Sequence, residues 1–195
     1  ENGSLEANTN GSGMFSYLDN VDTLDLTGLD TSNMTSMSMM FYKSTSLKSI
    51  DVSGFDTSKV VNMNGMFWEC SNLTSINVSN FNTSKVTDMN NMFAECSNLI
   101  TLDLSNFDTS NVLYMGNLYN YSYGGMFRNC SSLKELNVSS FNTSKVKYMS
   151  NMFQGCSSLT TLDLSNFNTS NVTAMASMFD SCSSLVSINV SNFDV

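Results

Sequence analysis

Apolar and polar positions alternate along part of this chain and then change period, always in the same order. In LTSINVSNF (73–81), Leu73, Ile76, Val78 and Phe81 fall on one side and Ser75, Asn77 and Ser79 on the other. Such local alternation predicts a half-buried strand. VTDMNNMFAEC (86–96) then places Val86, Met89, Met92, Phe93 and Cys96 inward. From Met89 the spacing is i, i+3, i+4, i+7, which sets four side chains on one face of a short helix. The intervening NTSK supplies residues that turn the chain and cap a helix start. So much Asn, Ser and Thr makes a poor helix, so 3₁₀ or irregular turns are the alternative on that side.

The block recurs. Met-Phe pairs stand at Met14-Phe15, Met40-Phe41, Met66-Phe67, Met92-Phe93, Met126-Phe127, Met152-Phe153 and Met178-Phe179, every 26 residues except for one interval of 34. After a polar segment (1–13), residues 14–195 form a single domain of six units: 21–46, 47–72, 73–98, 99–132, 133–158 and 159–184, with partial units at both ends. A period in the twenties signals a repeat architecture, in which neighbours cover the apolar face that one unit cannot bury alone. The predicted fold is an α/β repeat solenoid, with a parallel β-sheet on one face and short helices or irregular turns on the other. Its strands would lie ~4.8 Å apart.

Periodicity also explains the sulfur. Of fifteen Met residues, all but Met39 fall on three inward ladders, where a flexible thioether fills core space beside Phe. Cys70, Cys96, Cys130, Cys156 and Cys182 share one inward slot, held by Leu18 and Ser44 in the first two units. They are expected to be free, buried thiols. Parallel in-register Cβ vectors suit bridging poorly, five leave one unpaired, and spacings of 26 and 34 match no zinc motif.

Composition narrows the function. With 17 acidic against 8 basic residues, a net charge of −9 repels phosphates, so nucleic acid is a poor partner. No apolar run is long enough to span a bilayer, so no direct membrane insertion is expected of these residues. There is no His, and no Ser-His-Asp set, phosphate loop or metal motif is present. Neither an enzyme, a cofactor nor a metal site is expected.

Recognition has two candidate places. Outward residues of the predicted strands form rows, the central one running Asp25, Asp51, Asn77, Asp103, Asn137, Asp163, Asn189. Asp103, Asn137 and Asp163 mark it as a polar groove for sugar hydroxyls or peptide; the alternative is a solvated face that keeps the sheet soluble. The second place is the break in period, eight extra residues at Leu118–Gly125 carrying Tyr119, Tyr121 and Tyr123. Tyr114 and Tyr148 lie on the same outer side. Tyr with Ser, Gly and Asn is the composition of adaptable binding loops, and insertions in repeat proteins map to loops on one face. The opposing reading is a tolerated insertion whose tyrosines fold back. Tyr42 and Trp68 share a further outward row, a spacing on which sugar rings can stack.

The unit LxxLDLSNFxTSxVxxMxxMFxxCSS, carried best by LDLSNFDTSNV (102–112) and MFQGCSSLTTLDLSNF (152–167), resembles the BspA-like leucine-rich-repeat surface proteins, including the 26-residue repeats of mycoplasma and Gram-positive surface proteins. The likeness covers 14–195, although Phe81, Phe107, Phe141 and Phe167 stand where general leucine-rich repeats place Asn or Leu. The resemblance implies an extracellular protein of the bacterial cell surface, its signal peptide and anchor lying outside these residues. It implies an adhesin for a host extracellular protein or glycan, or for another microbial surface. Sequons in the turns (Asn82, Asn142, Asn168) agree with a bacterial source, since glycans there would crowd units ~4.8 Å apart. Two other readings stand beside the adhesin: a passive spacer or stalk of a larger surface protein, and, more remotely, an ice-binding array. Bare sheet edges at the ends also make end-to-end self-association a hazard.

Overall fold

The computed structural model describes residues 9–118 and 124–194, with the backbone of 5–6. Its regular strands are short: β1 (Leu5–Glu6), β2 (Leu29–Asp30), β3 (Thr101–Asp103), β4 (Glu135–Asn137), β5 (Thr161–Asp163) and β6 (Ser187–Asn189). They pair in parallel as β1–β2, β3–β4 and β5–β6. Thr101 faces Glu135 and Asp103 faces Asn137; Asp163 faces Asn189 one pair later. The expected continuous sheet is thus three two-stranded pieces.

A second column, which the sequence reading did not foresee, is more continuous. Parallel bridges link Asn10, Ser36, Asn62, Asp88, Tyr114, Tyr148 and Ala174 in succession. Each step is one repeat, so the column ties seven consecutive repeats together. Residues 9–13 already belong to it: the Gly11 amide donates to the Ser36 carbonyl at 2.9 Å.

No helix follows this column among the described residues. Of the two alternatives for this side, short helices or irregular turns, the structure has turns, four residues long and back to back. In one unit the Met40 amide donates to Met37 and the Ser44 amide to Phe41, and the third residue of each turn, Met39 and Lys43, has φ of 54° and 56°. Positive φ at that place is the type II signature. The intervening amides point out of the turns to the next unit, Met39 to Asn64, Phe41 to Met66 and Lys43 to Trp68. An α-helix would spend these amides within its own turn; here every second one bonds a neighbouring unit, which satisfies them while joining the units. Two adjoining turns have corners at i, i+3, i+4 and i+7, the spacing of a helical face. Other turns continue the pattern, Val78–Phe81, Thr83–Val86 and Cys96–Leu99, each closed by an amide-to-carbonyl bond.

The corners form the core. Met89, Met92, Phe93, Cys96 and Leu99 are fully buried, as are their counterparts in neighbouring units, whereas Met39 stays 38% exposed. Phe15, Phe41, Phe67, Phe93, Phe127, Phe153 and Phe179 stack as one column, with ring centroids 5.5–6.1 Å apart. Polar ladders close what the turns leave open. Asn80 Nδ2 donates to the Val52 and Phe55 carbonyls, both at 3.1 Å; Asn106 and Asn166 repeat this, and the Ser140 hydroxyl substitutes in its unit. The buried Thr143 hydroxyl donates to the Asn168 carbonyl at 2.9 Å and accepts the Asn168 amide at 2.8 Å.

The five cysteines are free, four buried and Cys182 half-buried. Each thiol donates to the Phe carbonyl of the preceding unit at 3.0–3.1 Å. Ser44 does the same to Phe15, so from the second Met-Phe unit on the slot holds a small donor. Burial pushes the Cys70 thiol from 9.0 up to about 12, and Cys96, Cys130 and Cys156 well upward. Because the folded value lies above the unfolded one, this contribution is intact below pH 9.0 and is lost as pH rises toward about 12. We therefore expect the urea midpoint to fall in that window, and a Cys70→Ser, Cys96→Ser, Cys130→Ser, Cys156→Ser variant to lose the decline. An equal decline in both proteins would assign it to other groups.

Candidate functional site

The residues singled out in the sequence separate into two places. Asp103, Asn137 and Asp163 are exposed on β3, β4 and β5. They border a shallow trough of about 580 Å³ with Thr101, Lys134 and Glu135. Each acidic or amide oxygen is partly committed: Asp103 accepts the Ser105 amide at 3.0 Å, Asn137 that of Ser139 at 3.1 Å, and Asp163 that of Ser165 at 3.0 Å. These bonds start the turn after each strand, as Asp and Asn side chains commonly do. The backbone bond from Ser105 holds the Asp103 carboxyl below its ordinary range, and that from Ser165 does the same for Asp163. Much of this row is therefore explained by turn formation. The second carboxylate oxygen of each Asp takes no part in that amide bond.

Tyr114 and Tyr148 lie on the other column. They are joined as a parallel bridge, and their rings stack at 5.3 Å with a 21° interplanar angle. Both are half-buried. The preceding member of the column is Asp88 and the next is Ala174, whose methyl group is too small to cover the second face of Tyr148. Leu113, Lys145, Lys147, Asn171 and Thr173 complete a trough of about 520 Å³ beside that ring. Lys145 and Lys147 give an otherwise acidic protein a locally basic flank here.

Tyr119, Tyr121 and Tyr123 lie outside the described residues, but the base of the insertion is clear. Gly116 and Gly125 face one another in an antiparallel bridge, and the Met126 amide donates to Met115 at 2.9 Å. A Cβ at Gly116 would come within 2.4 Å of the Ser150 carbonyl, and one at Gly125 within 2.2 Å of that of Asn151. Neither can carry a side chain, and Gly125 also has φ of 152°.

A family model described as Mycoplasma protein of unknown function, DUF285, matches residues 9–124 and again 122–195. The chain belongs to this family. It is a mycoplasma-type repeat protein, and no curated protein matches it. Because the match repeats along the chain, it follows the recurrent unit; features of this DUF285 chain that depart from the unit are those its repeat does not require. The sequence reading had found two such departures, the insertion and the tyrosines. Lys134 and Glu135 on the strand trough were not among its candidate residues, although Glu135 breaks the Thr/Ser habit of its outward row. Among the described residues no group of three His, Cys, Asp or Glu could hold a metal ion, and no helix is long and apolar enough to cross a membrane.

Proposed function

We propose that this chain is a solenoid of leucine-rich-repeat type, displayed extracellularly on the bacterial surface, and that it works as a non-enzymatic adhesion module. Its binding surface is the flank formed by Tyr114, Tyr148, Leu113, Lys145 and Lys147, together with the insertion rooted beside it. The partner is a host extracellular protein or another microbial surface, and acidic segments of it would meet the lysines. One observation carries this reading: the stacked Tyr114–Tyr148 pair, with one ring face uncovered, occupies slots that stacking fills elsewhere with Asn62, Asp88 and Ala174. The fold does not call for aromatics there, whereas large rigid rings beside a basic rim are common anchors of protein interfaces.

Deletion of Asn117–Gly124 keeps the two glycines that close the loop and restores the 26-residue period. The test compares this deletion and Tyr148→Ala with the parent chain by biolayer interferometry, against extracellular-matrix proteins and mucin, after circular dichroism has confirmed folding. Expected is binding of one panel member, weakened at least about tenfold, near 1.4 kcal/mol, by Tyr148→Ala. Equal binding by all three proteins would move the site to the strand trough, where Asp103 and Asp163 are the next residues to change. No binding by any of them would favour the passive spacer.

A further inference from the structure

A third trough lies along the second of the tandem turns. It holds about 560 Å³ and is lined by Tyr42, Lys43, Trp68, Glu69, Glu95 and Arg128. Trp68 packs on Tyr42 with ring centroids 4.8 Å apart. The next residue in that row is Ala94, fully buried, so no ring covers the far side of the indole. Beyond Ala94, Arg128 reaches across to the Glu95 carboxylate and donates from Nε to Gln154 at 3.2 Å. Lys43 sits 3.8 Å from Glu69 and 5.4 Å from the Tyr42 ring centroid. The trough therefore has an aromatic wall at one end, a guanidinium–carboxylate pair at the other and a second ion pair along its rim.

We propose that this trough binds a neutral saccharide, with a pyranose ring against Trp68 and its hydroxyls held by Glu69, Glu95 and Arg128. Two positive and two negative groups line it, so its charges cancel. An anionic sugar would gain no net attraction here and would approach a protein of net charge −9. An apolar peptide would take these ion pairs out of water and return no hydrogen bonds to them, which is costly. Vicinal hydroxyls, by contrast, donate to carboxylates and accept from guanidinium and ammonium, while the C–H face of the ring lies on the indole. The fold itself does not account for the tryptophan. Its Nε1 is enclosed without a hydrogen-bond partner among the described residues, and the same row holds Tyr42, Ala94, Arg128, Gln154 and Asp180 in other units. A buried unpaired donor is a cost for which a native protein normally has a reason. This proposal does not rest on the Tyr114–Tyr148 flank being a binding surface.

Trp68 is the single tryptophan of the chain, so its fluorescence reports this site alone. The 195-residue chain is titrated with cellohexaose, chitohexaose and mannohexaose, with sialyllactose as the acidic competitor class and a proline-rich peptide as the protein class. Expected is a saturable emission change with one neutral oligosaccharide at about 1 mM or below, matched by calorimetry. Glu95→Gln, which leaves the ring stack in place, should weaken it at least tenfold, and Trp68→Ala should abolish the heat; Tyr148→Ala should change neither. Should Trp68→Ala lose its fold, Glu95→Gln decides alone. The proposal is overturned if no neutral oligosaccharide gives a saturable change up to about 10 mM. It is equally overturned if only sialyllactose or the peptide does, or if Glu95→Gln binds as tightly as the parent.

Discussion

Phe93→Ala should lower unfolding stability by about 3–5 kcal/mol, the range for removing a fully buried aromatic ring. The ring lies between Phe67 at 5.6 Å and Phe127 at 6.1 Å, nearly parallel to both, and is wholly enclosed. Its loss removes contact with the unit before and the unit after. In a repeat protein, stability is close to a sum of unit and nearest-neighbour terms, so this substitution weakens two interfaces at once. Phe179 is the comparison: it is half-buried, and its ring column continues only to Phe153, at 5.7 Å. Phe179→Ala should cost about half as much, since less area is returned to water. Urea unfolding followed by far-UV circular dichroism and by Trp68 emission separates the outcomes. A weakened interface after Trp68 should split the two midpoints in Phe93→Ala, the fluorescence reporting the units before the break. Equal losses for both variants, with coincident midpoints, would show that the column does not transmit stability between units.

The same column shows how far the sequence could be read. Positions of the Met-Phe pairs gave the unit, its register and the inward residues, because a 26-residue period leaves one consistent set of buried positions. The helices were misread for a specific reason. Met37, Met40, Phe41 and Ser44 are the corners of two adjoining turns, and that spacing coincides with a helical face. What distinguishes the two is the residue before the Met-Phe pair, Gly or Asn at five of seven pairs: Gly13, Gly65, Asn91, Gly125 and Asn151. Gly and Asn recurring at one place signal a backbone that needs positive φ, and these residues adopt it, Gly65 at 61° and Asn91 at 58°. The second column of bridges had no such signal, since its members range from Asn to Tyr to Ala and only their amides and carbonyls take part.

The candidate sites were legible to different depths. Tyr114 and Tyr148 stood out because they break the unit, and the register that aligned them also makes their rings stack. The strand-row Asp and Asn side chains looked available for a ligand, yet their spacing to the Ser or Thr two residues on was also a turn signal, and the structure uses it that way in every unit from Asp25 to Asn189. The trough between Trp68 and Arg128 was half visible. Tyr42 and Trp68 could be aligned, but Arg128 enters the row only after the eight inserted residues are discounted, and Ala94 opens a gap that matters only in three dimensions.

Thr143→Val tests the polar side of the stack, and it should behave opposite to what its volume suggests. Valine matches threonine in shape and would add apolar surface to a site with no exposure. If packing alone held the units together, the substitution would be neutral or stabilising. The hydroxyl, however, serves both the amide and the carbonyl of Asn168, at 2.8 and 2.9 Å, and water cannot replace it in a sealed corner. Leaving two backbone groups unpaired costs about 1–3 kcal/mol each, so a loss of about 2–6 kcal/mol is expected. Thr143→Ser keeps both bonds and removes one methyl group, at about 1 kcal/mol. The order parent, then Ser, then Val in urea midpoint is the expected result; Val at or above Ser would mean the ladder contributes nothing. Thr31, Thr57, Thr83, Thr109 and Thr169 make the corresponding bond to a carbonyl one unit on. In all six units the residue is Thr, while its neighbours interchange Asn with Asp and Lys with Asn. Serine could make the hydrogen bonds and valine could fill the space, but only threonine does both, which is what a sealed corner between two repeats requires.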